Sequence, residues 1–187
     1  MRGMLILVGI LSACAQTPGP AKGTGGGTLS PTLSTDQGTL CPAFASWDRS
    51  GAKLLSSTAL LAAKPATVFQ FFASWCANCG PQLLSLAESF GPASNTGLVV
   101  VLTGERYGQA KGKLDAIEAK LGRQITVVED GSKEVSRLFG VCEENQSESA
   151  CQLPAVRVCH NQGQQLLSAQ GSQGGLVEQI RAVLPSP

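Results

Sequence analysis

Two cysteines separated by two residues, in the segment Trp75-Cys76-Ala77-Asn78-Cys79, constrain this chain more than any other feature. An apolar run precedes them, and apolar residues with helical spacing follow. A strand that ends where a helix begins places Cys76 at the helix N-terminus, where unpaired N–H groups and the helix dipole stabilise a thiolate. The spacing brings Cys79 back beneath Cys76. One exposed, acidic thiol beside a shielded one is the arrangement that thiol–disulfide exchange requires.

The segments around this pair alternate between strand-like and helix-like patterns. Thr67–Ala73 and Gly97–Leu102 are apolar but too short for core helices, so they predict buried strands. The other expected elements are a hairpin or edge strand in residues 41–55, helices at 56–63, 78–90, 109–121 and 133–139, a strand at 125–128, a hairpin of 156–159 with 164–167, and a helix at 176–184. This order predicts an α/β sandwich with a central mixed β-sheet and an N-terminal strand or hairpin extension.

The first 13 residues resemble a lipoprotein-type signal peptide. Arg2 and a short apolar run precede Leu11-Ser12-Ala13-Cys14, which resembles the lipobox of bacterial lipoproteins. The resemblance implies that residues 1–13 are removed and that Cys14 carries a lipid anchor; ordinary signal cleavage at a nearby alanine is the alternative. The apolar run is far shorter than the ~20 residues that a transmembrane helix needs.

Residues 14–40 are expected to form a flexible tether. They are mostly Gly, Pro, Ser and Thr, and Lys22 and Asp36 are their only charged residues. A segment of this composition cannot bury enough apolar surface to order itself. As a flexible coil it would span about 25–30 Å. The globular domain is therefore expected at residues 41–187.

Charge and composition argue against several other functions. The chain has 14 Lys and Arg against 13 Asp and Glu, which gives no support for nucleic-acid binding. Its single histidine, His160, falls in a predicted hairpin turn with only cysteines as possible metal partners. Cys79 is followed by Gly80 rather than by the histidine of a haem-attachment motif. No metal and no cofactor is expected.

Residues 41–184 resemble the thioredoxin superfamily, and within it the membrane-tethered TlpA/ResA-type thiol–disulfide oxidoreductases. The resemblance rests on the Trp-Cys-x-x-Cys motif after an aromatic strand, on Leu153-Pro154 before the hairpin, and on the extra α/β unit from Leu98 to Phe139. It implies a thioredoxin-like three-layer sandwich. It also implies a cis peptide bond before Pro154, facing the cysteines, with the Leu153 backbone pairing with an extended substrate. Trp75 is expected to shield the thiols and shape the docking surface, and Trp47 to pack in the core or at an edge.

Three positions depart from the family pattern. Leu84 stands where members usually have a proline, Gln82 where many relatives have a glutamate, and Gln70 where thioredoxin has a buried aspartate. Either carboxylate would help to move the proton of the buried cysteine during exchange. Without them, the resolving step is expected to rely on water or on the leaving thiolate.

Apart from Cys14 and the central pair, four cysteines remain. Cys142 and Cys151 bracket an acidic, polar loop and are candidates for a structural disulfide, with a redox relay to the central pair as the alternative. Cys41 and Cys159 are candidates for a bridge from the N-terminal strand to the hairpin, although spacing alone does not show that they approach each other.

These observations predict a lipid-anchored thiol–disulfide oxidoreductase of the bacterial cell envelope. Cys76 is the expected nucleophile and Cys79 the resolving cysteine. The resemblance implies a monomer that reduces protein disulfides, including those of cytochrome maturation, and that is re-reduced by a membrane thiol donor. Two alternatives stay open: a thiol peroxidase on the same fold, and a non-catalytic binding domain in which the central pair is a permanent disulfide.

Overall fold

The computed structural model describes residues 32–35, 38–143 and 150–185. The predicted signal peptide and the lipidation site Cys14 lie outside these residues. The elements in chain order are β1 (Thr32–Ser34), β2 (Ala45–Trp47), β3 (Leu54–Ser56), α1 (Ser57–Ala62), β4 (Ala66–Phe72), α2 (Cys79–Ser89), β5 (Thr96–Thr103), α3 (Tyr107–Leu121), β6 (Thr126–Asp130), α4 (Glu134–Leu138), β7 (Ala155–His160), β8 (Gln165–Gln170) and α5 (Leu176–Val183).

A mixed six-stranded sheet organises the domain, in the order β1-β8-β7-β4-β5-β6. The strands β4, β5 and β6 are parallel, whereas β7 pairs antiparallel with both β4 and β8. Every residue of β4 is buried. A strand covered on both faces carries a continuous apolar run rather than an alternating one, which is the pattern that predicted β4 and β5. The predicted α/β fold with a mixed sheet is confirmed.

Two apolar clusters cover the opposite faces of this sheet, which gives the molecule three layers. Successive side chains of a strand point to opposite faces. Val68 and Phe72 accordingly pack with side chains of α2, α3 and α5. Phe69 and Phe71 pack on the other face with side chains of α1, α4 and the segment before β2. The cysteine pair belongs to the first cluster.

The N-terminal hairpin of β2 and β3 is attached to the edge of the sheet next to β6. Asp48 forms a bridge to Val128, and the Ser46 hydroxyl donates to the Glu129 carbonyl. Arg49 makes a bidentate ion pair with Glu118 of α3, at 2.5 and 3.0 Å. Through these contacts the hairpin, which the sequence predicted as an N-terminal extension, is packed against the sheet and α3.

The structure differs from the predicted tether at its C-terminal end. Residues 32–34 form β1, which pairs antiparallel with β8, and Leu40 forms a bridge to Gln164. An edge strand is held by backbone hydrogen bonds, which Thr, Ser and Leu provide as well as any other residues do. The domain therefore includes residues before Cys41, where composition alone had placed the boundary between tether and domain.

A disulfide joins the N-terminal segment to the centre of the sheet. Cys41 is bonded to Cys159 of β7, with Cα atoms 6.2 Å apart and a sequence separation of 118. Closing a loop of that length stabilises a fold by about 4–5 kcal/mol on chain-entropy estimates.

Within the described ranges, no helix is long and apolar enough to span a membrane.

Candidate active site

The cysteine pair lies at the junction between the central strand β4 and helix α2. β4 ends at Phe72 and α2 begins at Cys79, so Cys79 is the first helical residue. Cys76 precedes the helix in a turn, where its N–H donates to the Ala73 carbonyl at 3.1 Å. The sequence predicted Cys76 at the helix N-terminus, whereas in the structure it lies three residues before the first helical residue. Pro81 is accommodated because the first helical turn has no intrahelical donor to lose.

Cys76 and Cys79 form a disulfide, with Cα atoms 5.4 Å apart. Cys79 is fully buried and Cys76 is 6% exposed. Cys76 is thus less exposed than the sequence predicted, because the turn folds it against the apolar cluster below α2. It is still the more accessible of the two sulfur-bearing residues. The adjacent Trp75 is 46% exposed and forms the surface next to the disulfide.

The segment before β7 reaches the same end of the sheet. The Leu153–Pro154 peptide bond is cis. Ala155, the next residue, pairs with Phe71 near the end of β4, so Pro154 lies where the chain turns toward Cys76. Leu153 packs against the cluster that contains both cysteines. Within the part of the chain that the structure describes, its N–H and carbonyl have no hydrogen-bond partner.

A buried carboxylate, which the sequence did not reveal, supports the turn before Cys76. Glu105 is only 4% exposed and accepts hydrogen bonds from the Ser74 N–H at 2.7 Å and from the Ser74 hydroxyl at 2.5 Å. It follows β5 directly, after Gly104 with its φ of +73°. One feature of the sequence could have indicated this contact: Glu105 follows a predicted strand. The carboxyl ends of adjacent parallel strands meet at the same edge of the sheet, so residues that follow them lie close together.

Gln70, from the middle of β4, holds the first residue of α2. Its Nε2 donates to the Cys79 carbonyl at 3.1 Å, and its side chain is fully buried. The Cys79 sulfur lies 3.9 Å from the Phe71 carbonyl oxygen. The buried cysteine is therefore fixed from beneath by two consecutive residues of the central strand.

Cys142 and Cys151 are also bonded, with Cα atoms 4.1 Å apart. They belong to the cluster on the other face of the sheet, with Phe71 and Ala155. The Gln152 N–H donates to the Val141 carbonyl at 2.9 Å, so the bridge anchors the segment that leads into Leu153–Pro154. A ring of this size contributes about 3 kcal/mol on chain-entropy estimates.

The remaining candidate residues lie away from the cysteine pair. His160 ends β7, and its Nδ1 accepts a hydrogen bond from the Gln162 N–H in the turn. Trp47 lies on the edge hairpin and is 50% exposed. Among the described residues there is no cluster of three or more His, Cys, Asp or Glu side chains that could hold a metal ion.

A groove of about 450 Å³ opens beside the pair, between α2 and the start of α5. Asn78, which lies between the two cysteines in sequence, lines it together with Gln82 of α2. Residues 172–173 and 175–178 and Arg181 of α5 also line it. Most of these side chains are polar, so the groove offers hydrogen bonds rather than an apolar trough.

Comparison with known proteins identifies the fold. No protein-family model and no curated protein sequence matches the chain. Among solved structures, the thioredoxin domain of a thiol–disulfide oxidoreductase from Bacteroides vulgatus has a TM-score of 0.59 and 17% identity, over 81% of this chain and 100% of that one. A secreted Mycobacterium tuberculosis disulfide oxidoreductase homologous to E. coli DsbE has a TM-score of 0.53 and 19% identity, over 74% and 95%.

A yeast mitochondrial 1-Cys peroxiredoxin is also similar, with a TM-score of 0.61 and 14% identity, over 78% of this chain and 73% of that one. All three likenesses combine low sequence identity with a shared backbone arrangement. The mixed sheet and the cysteine pair at the junction of a central strand and a helix fit this arrangement. The chain has a thioredoxin-like fold.

Proposed function

We propose that this protein is a thiol–disulfide oxidoreductase in which Cys76 is the nucleophile and Cys79 the resolving cysteine. The observation that carries the proposal is the unequal burial of the two bonded cysteines, 6% against 0% exposed, at the start of α2. A substrate sulfur reaches the first residue and not the second. That asymmetry separates the nucleophile of thiol–disulfide exchange from the group that resolves it.

The reaction starts from the reduced pair. The Cys76 thiolate attacks one sulfur of a substrate disulfide, the substrate S–S bond breaks, and a mixed disulfide forms as one substrate thiolate leaves. Cys79 then attacks the Cys76 sulfur, which forms the intramolecular disulfide and releases the second substrate thiol. Two electrons pass to the substrate, and an external dithiol must return them to the protein.

Two features beside the pair support a protein substrate. The Leu153 N–H and carbonyl, which have no partner within residues 32–35, 38–143 and 150–185, provide one donor and one acceptor next to the cysteines, as pairing with an extended chain requires. The half-exposed ring of Trp75 provides apolar contact area at the same edge. We therefore propose that an extended peptide segment lies along residue 153, with its disulfide over Cys76.

We further propose that the protein acts in a bacterial cell envelope, anchored through Cys14, and reduces protein disulfides with electrons from a membrane thiol donor. The signal-like N-terminus and its lipobox support export and anchoring. Three disulfides within one small domain are typical of an oxidising compartment. Disulfides of cytochrome maturation are the substrates that the family resemblance suggests.

A thiol peroxidase is the second candidate, and the likeness to a 1-Cys peroxiredoxin favours it. In that reaction the Cys76 thiolate would attack a peroxide oxygen, the O–O bond would break with release of water or an alcohol, and Cys76 would become a sulfenic acid. Cys79 would then attack the sulfenic sulfur and form the disulfide with release of water. We rank it second because the Leu153 backbone, which has no partner in the described part of the chain, suits a peptide, and peroxide reduction makes no use of it.

Single-cysteine variants of the full chain test the proposal. We expect Cys76→Ser to abolish reduction of a protein disulfide such as that of insulin, and Cys79→Ser to accumulate a mixed disulfide with the substrate. A Cys41→Ser/Cys159→Ser double variant, which removes a disulfide away from the Leu153–Pro154 segment, is the control for general loss of cysteines and should retain exchange in the folded protein. Full activity of Cys76→Ser would contradict the proposal, and rapid peroxide consumption without insulin reduction would favour the peroxidase.

A further inference from the structure

The side chain of Gln70 combines complete burial with an incomplete set of hydrogen bonds. Its Nε2 donates to the Cys79 carbonyl at 3.1 Å. Its Oε1 is buried and has no hydrogen-bond partner within residues 32–35, 38–143 and 150–185. Val100 and Val156 flank Gln70 on the neighbouring strands and are fully buried, so the oxygen lies beside apolar side chains.

An unpaired amide oxygen in the interior is unfavourable, because it has lost water without gaining a protein donor. Native proteins keep few such groups, and a role in a redox site is one of the reasons for which they keep them. The structure shows the oxidised state, in which Cys76 and Cys79 are bonded to each other. Neither sulfur of a disulfide carries a hydrogen to donate.

Reduction adds an S–H donor at Cys79, directly above the central strand. The Cys79 sulfur already lies 3.9 Å from the carbonyl of Phe71, the residue after Gln70. The side-chain amide of Gln70 already donates a hydrogen bond to the backbone carbonyl of Cys79. The Phe71 carbonyl belongs to a strand that is paired on both sides, whereas Oε1 has no other partner among the described residues.

We propose that Gln70 is a positioning residue for the resolving thiol: Oε1 accepts the Cys79 S–H in the reduced protein and loses this donor when the disulfide forms. The inference rests on the proposed function, because it concerns the same exchange site. During exchange the substrate S–S bond breaks, the Cys76–Cys79 bond forms, and two electrons pass to the substrate sulfurs. Gln70 is neutral and takes up no proton, so the proton of Cys79 goes to the departing substrate thiolate.

One consequence is a change in the equilibrium between the dithiol and disulfide forms of Cys76 and Cys79, which can be measured. Only the oxidised form carries the unpaired oxygen, so Gln70 favours the dithiol. Gln70→Met has a similar length and no polar atom, and it removes this difference between the two forms. We expect the equilibrium constant with glutathione to move toward the disulfide by about tenfold, since an unsatisfied buried acceptor has a cost of that order. For this two-electron couple, tenfold corresponds to a potential lower by about 30 mV.

The experiment equilibrates the full-length wild type and Gln70→Met in glutathione buffers and counts thiols on the peptide that contains Cys76 and Cys79 by mass spectrometry. Gln179→Met is a matched control, because Gln179 on α5 also has a buried Oε1 without a partner in the described part of the chain. We expect no shift for Gln179→Met. A merely structural role for Gln70 predicts equal loss of unfolding free energy in both redox forms and an unchanged equilibrium constant, which would overturn the proposal.

A second measurement on the wild type covers the case in which Gln70→Met does not fold. With isotope-labelled glutamine, the infrared difference spectrum of reduced minus oxidised protein should show a side-chain carbonyl band that moves to lower frequency on reduction. Absence of any glutamine carbonyl band would overturn the proposal. If the wild type fails to reduce substrate disulfides, the proposed function is lost, while the glutathione equilibrium still reports whether Gln70 responds to the redox state.

Discussion

At the scale of single residues, the candidate site depends on two polar side chains that the motif itself does not contain. Gln70 supports Cys79 from the strand below, and Glu105 holds the turn before Cys76 through Ser74. The sequence marked Gln70 as a departure from the family pattern, and from that departure a site without a nearby carboxylate was expected. A carboxylate is nevertheless present, supplied by a different strand and directed at the turn rather than at a sulfur.

Substitution of Glu105 tests its role in holding the turn. Glu105→Gln keeps the shape of the side chain but replaces two charge-assisted hydrogen bonds with neutral ones. We expect a loss of about 1–3 kcal/mol in the free energy of unfolding, because a buried hydrogen bond to a charged group contributes about that much. We also expect slower reduction of a protein disulfide, because the turn that carries Trp75 and Cys76 becomes less well fixed.

Denaturant unfolding and an insulin-reduction assay measure the two effects. Glu88→Gln is the matched control, since Glu88 is exposed on α2 and the substitution should change neither quantity by much. Wild-type stability and wild-type exchange rates in Glu105→Gln would show that the buried carboxylate has no positioning role.

At the scale of elements, the sequence predicted well those segments whose own residues determine their structure. β4 and β5 were recognisable because strands buried on both faces are continuously apolar. Helix α3 was expected to end at residue 121, and it does so because Gly122, with a φ of +64°, follows as its C-cap. β1 was missed because an edge strand is specified by the strand it pairs with, β8, rather than by its own composition.

An ion pair that sequence spacing could not reveal joins the N-terminal hairpin to α3. Arg49 binds both carboxylate oxygens of Glu118 and lies 5.1 Å from the centre of the Tyr107 ring. Burial raises the pKa of the Glu118 carboxyl, but hydrogen bonds from Arg49 and from the Ile125 N–H outweigh it and hold the pKa below its usual value. The pair therefore stabilises the fold at neutral pH.

The lowered pKa determines the sign of a pH effect. Stability from Glu118 is fully present above the ordinary glutamate pKa of about 4.3 and is lost as the pH falls through the lower folded value. We expect Arg49→Met to cost about 1 kcal/mol near pH 7, and the difference from wild type to shrink below about pH 4. Denaturant unfolding at several pH values measures this difference. Lys111→Met, which removes an exposed pair with Asp115, is the control and should have little effect. A cost independent of pH would contradict the assignment to the ion pair.

At the scale of the whole molecule, the order of elements predicted the mixed sheet and the family resemblance implied its three layers, and the comparisons with solved structures agree. The sequence alone could not predict which distant segments of the chain lie next to each other. Cys41 and Cys159 are 118 residues apart, and their approach within bridging distance depends on β7 lying beside the N-terminal segment. The Leu153–Pro154 segment likewise meets the cysteines because β7 pairs with β4.

This assembly brings together the cysteine pair, the cis peptide bond before Pro154 and a buried carboxylate from three separate parts of the chain. The arrangement suits a cycle between disulfide and dithiol. It requires that Cys76–Cys79 be readily reduced, whereas Cys41–Cys159 and Cys142–Cys151 stay bonded.

The reduction potential of Cys76–Cys79 in the full chain tests this claim most directly, by equilibration with dithiothreitol or glutathione and thiol counting by mass spectrometry. We expect a single titrating pair with a potential near that of thioredoxin, about −270 mV, as for a reductase that a dithiol donor reduces again after each cycle. A value near −120 mV would mean an oxidant and would reverse the proposed direction of electron flow. A value well below about −300 mV would make the pair a structural disulfide and contradict the proposed function.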